Sequence, residues 1–156
     1  MADQHFKFAE YDVPDNETLR KPLRVGLLCS AFDFLHAGHL NAIEQAIQHC
    51  DILYLGLHVD PSLEREQKNS PVIPLSERFY QLYALEGKID FIIPYQYESE
   101  IRNIVHLYNI DVVFMGEEYL GKEYTVKGMD VDVHFLARQH DVSSSKIRRR
   151  ASLKEI

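Results

Sequence analysis

The chain has 156 residues, 46% of them hydrophobic and 26% charged, a balance that fits one folded domain in water and excludes a disordered or fibrous chain. Its formal charge of −7 argues against non-specific nucleic-acid binding, and no apolar run nears the roughly 18 residues that cross a bilayer. Any phosphate site must therefore be locally basic.

Met1 to Asn16 mixes Asp, Glu, Lys and His with apolar residues and lacks the unbroken apolar core of an export signal, so a cytoplasmic location is expected. Residues 1–22 carry Pro14, Asp15, Asn16 and Pro22 without periodicity and are expected to form an N-terminal arm, leaving residues 23–156 as the domain. Cys29 and Cys50 lie in apolar surroundings with no CxxC spacing, which predicts reduced, buried small hydrophobes rather than a disulfide.

Regular structure is expected from about Arg24. Val25 to Cys29, Ile52 to Val59, Phe91 to Ile93 and Val112 to Met115 are continuous apolar runs, and Val131 to Leu136 follows with looser patterning. Strands buried on both faces read this way. Between them, Leu40, Ile43, Ala46, Ile47 and Cys50 recur at helical spacing, as do Leu75, Phe79, Leu82 and Leu85, and then Ile101, Ile104, Val105 and Tyr108. The alternation predicts an α/β fold, a Rossmann-like parallel sheet with flanking helices. Its ligand crevice should lie at the carboxyl ends of the strands, where the winding reverses.

The first strand runs directly into Ser30-Ala31-Phe32-Asp33-Phe34-Leu35-His36-Ala37-Gly38-His39 and then into the first helix. Two imidazoles three residues apart fall on one side of a helical turn, and Gly38 removes a side chain where a phosphate must come close. Free N–H groups at the helix start add attraction for an anion. The alternatives are a structural pair of histidines and a zinc pair, for which no third ligand stands at an obvious spacing. Near the C-terminus, Ser143, Ser144 and Ser145 offer hydroxyls that cap a helix, hold phosphate or do both. Arg148, Arg149 and Arg150 read either as an anion patch or as charges complementing the end of that helix.

The His36–His39 segment resembles the HxGH signature of the cytidylyltransferase-like nucleotidyltransferase superfamily, whose members use the pair on a triphosphate. Lys68, after the second strand, and Ser76-Glu77-Arg78 resemble the lysine and the E-x-R of glycerol-3-phosphate cytidylyltransferases. Gly116-Glu117-Glu118-Tyr119-Leu120-Gly121-Lys122 is similar to their G-D-D-W-x-G-K. Arg138 to Ile147 resembles their R-T-x-G-I-S-T-T-K-I segment. Two departures stand out: the G-T-F-D turn is here Ser30-Ala31-Phe32-Asp33, and the glycine of R-T-x-G is Asp141.

The resemblance implies attack by an acceptor's phosphate oxygen on the α-phosphorus of a nucleoside triphosphate, with no covalent enzyme intermediate and release of pyrophosphate. His36, His39, Lys68 and Arg138 would be catalytic. Ser30, Ala31, Phe32, Asp33, Gly38, Gly116, Glu117, Ser143, Ser144, Ser145 and Lys146 would contact nucleotide or phosphates, with Asp33 orienting the turn and Arg78 near the acceptor. Mg2+ would accompany the triphosphate, with no protein ligand assigned. CTP and glycerol 3-phosphate are the implied substrates and a homodimer the implied assembly. Val142-Ser143-Ser144-Ser145-Lys146-Ile147-Arg148 is also similar to the I-S-S-T-x-I-R of adenylyltransferases, so ATP stays open, as does another phosphosugar or phosphoalcohol acceptor. A nucleotide-binding module without turnover is the rival of a different class.

Overall fold

The apolar runs form five strands, and their parallel pairing fixes where every loop of interest emerges. In the computed structural model, which describes residues 22–85 and 87–153, β1 (Val25–Ser30), β2 (Ile52–His58), β3 (Phe91–Tyr95), β4 (Val112–Gly116) and β5 (Asp132–Leu136) make one sheet in the order β3-β2-β1-β4-β5. Every neighbouring pair is parallel. Apart from Pro22, the expected arm lies outside the described residues.

Helix α1 (Ala37–Ile47) joins β1 to β2, α2 (Leu75–Tyr83) joins β2 to β3, and α3 (Glu100–Leu107) joins β3 to β4. Helix α4 (Ser144–Ser152) follows β5. The first two crossovers run one way from β1 and the third runs back, so their helices cover opposite faces. Ile43 and Ala46 of α1 and Leu82 of α2 pack with Leu53, Leu55 and Leu57 in one core. Ile101, Ile104 and Val105 of α3 pack with Leu27 and Val113 in the other.

β3 runs two residues further than its apolar core predicts, through Pro94 to Tyr95. Proline donates no ladder hydrogen bond, but β3 is an edge strand and needs none on its open side. Cys29 and Cys50 are free thiols on opposite faces of the sheet, and burial raises the Cys29 pKa to about 12. Among the described residues no helix is long and apolar enough to cross a membrane.

Candidate active site

The winding reverses between β1 and β4, and the loop leaving β1 there carries the two histidines. Phe32 and Phe34 both adopt positive φ, 49° and 50°, a conformation costing a side-chain-bearing residue about 1–2 kcal/mol. Three contacts hold this turn. Phe32 is 1% exposed in the α1-side core. Asp33, 4% exposed, accepts at Oδ1 from the N–H groups of Val72 (3.1 Å) and Ile73 (2.9 Å). Its carbonyl accepts from the Ser144 hydroxyl at 2.6 Å. Asp33 thus orients the turn, and it does so by tying three loops together.

His36 is the N-cap of α1: its Nδ1 accepts from Gly38 N–H at 3.1 Å. That nitrogen must be unprotonated, so a neutral ring carries its proton on Nε2 and presents it as a donor. The His36 and His39 rings stack, with centroids 3.8 Å apart and planes 18° apart. A Cβ on Gly38 would meet His36 Cε1 at 3.0 Å and Nδ1 at 3.1 Å, so the glycine makes room for the imidazole itself. Burial, helped by the Arg138 charge, holds His36 below its ordinary pKa. Burial and the neighbouring His36 push His39 down to about 3. Both rings are therefore neutral at physiological pH, and His39 Nδ1 is buried without a partner among the described residues.

Two cavities flank this edge. The first, about 390 Å³, is lined by His36, His39, Arg138, Gln139, His140 and Ser143, among others. The second, about 460 Å³, lies on the α3 side and includes Ala31, Asp33, Ser145 and Arg148. Ser30, Lys68, Gly116, Glu118 and Ser144 line both. Residues from four loops far apart in sequence thus meet on one rim.

Of the other expected residues, Glu117 accepts at Oε1 from Arg138 N–H at 3.0 Å, which joins the segment after β4 to the one after β5. Ser143 caps α4 by accepting from Lys146 N–H at 3.2 Å. Ser30 Oγ accepts from Phe32 N–H at 3.3 Å, inside its own turn.

Like Glu117, two further expected residues line neither cavity. Arg78 is 2% exposed and donates to the carbonyls of Ile73, Ala31, His58 and Val59 at 2.7–2.9 Å. With four of its five N–H groups engaged by backbone, it clamps the loops after β1 and β2 and lines neither cavity. Lys146 pairs with Asp141, the residue in place of the family's glycine, and lines neither cavity. That ammonium holds the Asp141 carboxyl below the usual carboxylate range.

Three residues shape the site in ways the sequence reading did not assign. Arg148 bonds Asp33 and the Ser70 carbonyl (2.7 Å) and sits 5.6 Å from the Phe34 ring centre, so it closes α4 onto the turn rather than facing water. Gln45 accepts from Ala137 N–H (3.1 Å) and donates to its carbonyl (2.9 Å), fixing the base of the Arg138 segment. Glu118 is the carboxylate shared by both cavities.

A parallel α/β sheet with neutral, stacked histidines at its switch point is the arrangement of an enzyme that handles nucleotide phosphates. The profile described as cytidylyltransferase-like matches residues 27–150, and the chain belongs to that family of nucleotidyltransferases. It is 27% identical over 125 residues to the bifunctional protein HldE of a Nitratiruptor species, covering 80% of this chain and 26% of that protein. It is 34% identical over 112 residues to HldE of Hyphomonas neptunium, covering 70% and 22%. The chain thus spans about a quarter of these relatives. Among solved structures, the lipopolysaccharide core biosynthesis protein of Thermoplasma volcanium superposes with a TM-score of 0.60 at 18% identity, covering 76% of this chain and 99% of that one. Pantoate-beta-alanine ligase of Francisella tularensis superposes at 0.51 and 14% identity, covering 90% and 73%. These two likenesses concern the fold.

Proposed function

We propose that the chain transfers a nucleoside monophosphate from a nucleoside triphosphate to the phosphate of a small molecule, with the nucleotide in the His36–His39 cavity and the acceptor in the Arg148 cavity. The observation that carries this is the common rim of Ser30, Lys68, Gly116, Glu118 and Ser144. An acceptor phosphate oxygen approaching from one side attacks the α-phosphorus. The bond from that phosphorus to the bridging oxygen breaks, and pyrophosphate leaves. No protein nucleophile or proton acceptor is needed. Catalysis is positioning and charge stabilisation.

His36 Nε2–H donates to the phosphates as charge grows on the bridging oxygen, and His39 stacks beside it as a second imidazole. Lys68 and Arg138 supply fixed positive charge. Magnesium ions usually bind through one or two carboxylates plus substrate phosphates. Glu118, a carboxylate on the rim shared by both cavities, suits such a site. Glu118 would hold the ion together with the triphosphate, where it would offset phosphate charge.

CTP is the proposed donor and glycerol 3-phosphate the first acceptor to test, on the Gly116–Lys122 and Arg138 resemblance. The Val142–Arg148 segment favours ATP as the second reading. A pyrophosphate-release panel crossing CTP and ATP with glycerol 3-phosphate, phosphocholine, phosphoethanolamine and sugar phosphates, with and without magnesium, tests donor and acceptor together. Turnover with one pair, lost without magnesium, is expected; none with any pair rejects the transfer reading in favour of a binding module. Light scattering reads the proposed homodimer directly.

A further inference from the structure

One wall of the larger cavity is built from the carboxyl ends of other strands. His58 ends β2, Arg65 follows it, Glu98 follows β3 and Thr125 follows β4, and all four line the cavity. None was named as a candidate site residue in the sequence reading.

Glu98 is the centre of this wall. Its Oε1 accepts from Arg65 Nη2 at 2.7 Å and its Oε2 from the Thr125 hydroxyl at 2.9 Å. A carboxylate has about four lone-pair sites, so two remain. Its charge is already balanced by Arg65, which removes most of the attraction for a cationic head group.

His58, 2% exposed, places Nε2 2.8 Å from the Gln96 carbonyl. A carbonyl only accepts, so Nε2 carries the proton. Burial keeps the ring below its ordinary pKa and hence neutral, and Nδ1 is an acceptor. It stands 3.8 Å from Glu98 Oε1, two acceptors side by side with no proton between them. Arg65 Nε, a donor, is buried without a partner among the described residues. Acceptors and a donor so juxtaposed match a group that both donates and accepts. A hydroxyl does this. An ammonium only donates, and an ionised phosphate only accepts.

We propose that the His58–Arg65–Glu98–Thr125 wall reads the hydroxyl groups of a polyol or sugar phosphate and that Glu98 is the specificity-determining residue of the acceptor site. This rests on placing the acceptor in that cavity, with the acceptor's phosphate toward Lys68 and Arg148, which line the same cavity.

The test is calorimetric binding, independent of turnover, to protein loaded with a non-hydrolysable nucleoside triphosphate and magnesium. The probes are glycerol 3-phosphate, a hexose 1-phosphate, phosphoethanolamine and inorganic phosphate. The hydroxylated phosphates should bind more tightly than the other two. Glu98→Gln should weaken them about tenfold or more, the scale of a lost charge-assisted hydrogen bond, and leave inorganic phosphate unchanged. Should Glu98→Gln fail to fold, Thr125→Val removes one hydroxyl at nearly constant shape and should shift the same preference less. Tighter binding of phosphoethanolamine, equal binding of all four probes, no binding at all, or an equal loss for inorganic phosphate overturns the proposal. Hydroxyl-selective binding without pyrophosphate release would sustain it while rejecting transfer.

Discussion

His36 has two separable duties, and two substitutions pull them apart. Its Nδ1 caps α1 through Gly38 N–H, and its Nε2–H is the proposed phosphate donor. His36→Ala removes both. Loss of a capping side chain costs about 1 kcal/mol, and at this chain length that lowers Tm by roughly 3 °C. Asparagine is among the best N-caps, so His36→Asn should keep the cap, yet its side chain is too short to bring a donor to where Nε2 stands. Losing one preorganised donor typically reduces turnover by about 10² to 10³, or roughly 2.7–4 kcal/mol of transition-state stabilisation. Both variants should therefore slow pyrophosphate release by that factor, while only His36→Ala melts early. Steady-state kinetics with the preferred substrate pair, beside thermal unfolding of each variant, reads both quantities. A His36→Asn enzyme with near-native turnover would refute the donor role and leave His36 a cap.

His39→Ala should cost a similar factor in turnover with a much smaller change in nucleotide affinity by calorimetry, because a donor aimed at developing charge acts on the transition state more than on bound substrate. His39 should also set part of the acid stability. The unfolded ring takes a proton near its ordinary value of about 6.5 and the folded ring only near 3, so stability falls as pH drops through that window, by up to about 1.4 kcal/mol per unit, and is unaffected above it. Denaturant titrations of wild type and His39→Asn should diverge below about pH 6 and run parallel above it. Arg78→Ala should remove about 3 kcal/mol or more by orphaning four carbonyls, lowering Tm by about 10 °C, and Arg78→Lys should recover little because one ammonium cannot span them. Retained stability in Arg78→Ala would show that the clamp is dispensable.

The sheet and the histidine loop were legible because both are local patterns. Apolar runs of a few residues separated by helical periodicity leave few topologies, and the first loop after such a run falls at a carboxyl edge whatever the strand order. Arg78 was legible as a residue but not in its role. A buried arginine and a surface one look alike in sequence, and only the convergence of four carbonyls separates them. Arg148 was hidden in a run of three arginines whose neighbours do face water. His58, Arg65, Glu98 and Thr125 carried no signal, since a wall assembled from the ends of three strands leaves no spacing to read.

The topology also explains why transfer between two bound molecules suits this edge. β1 and β4 are hydrogen-bonded neighbours, yet the chain leaves β1 into α1 on one face, while α3, which leads into β4, covers the other. Their carboxyl ends therefore open onto two cavities instead of one, and the strand ends Ser30 and Gly116 belong to both. A phosphorus atom held above that pair is reachable from either side of the sheet. In-line displacement needs an entering and a leaving oxygen on opposite sides of phosphorus. The reversal of winding supplies that opposition before any side chain is chosen. What the side chains add, on the proposed reading, is asymmetry: neutral imidazole donors on the leaving side, and a charge-balanced, hydroxyl-matching wall on the entering side.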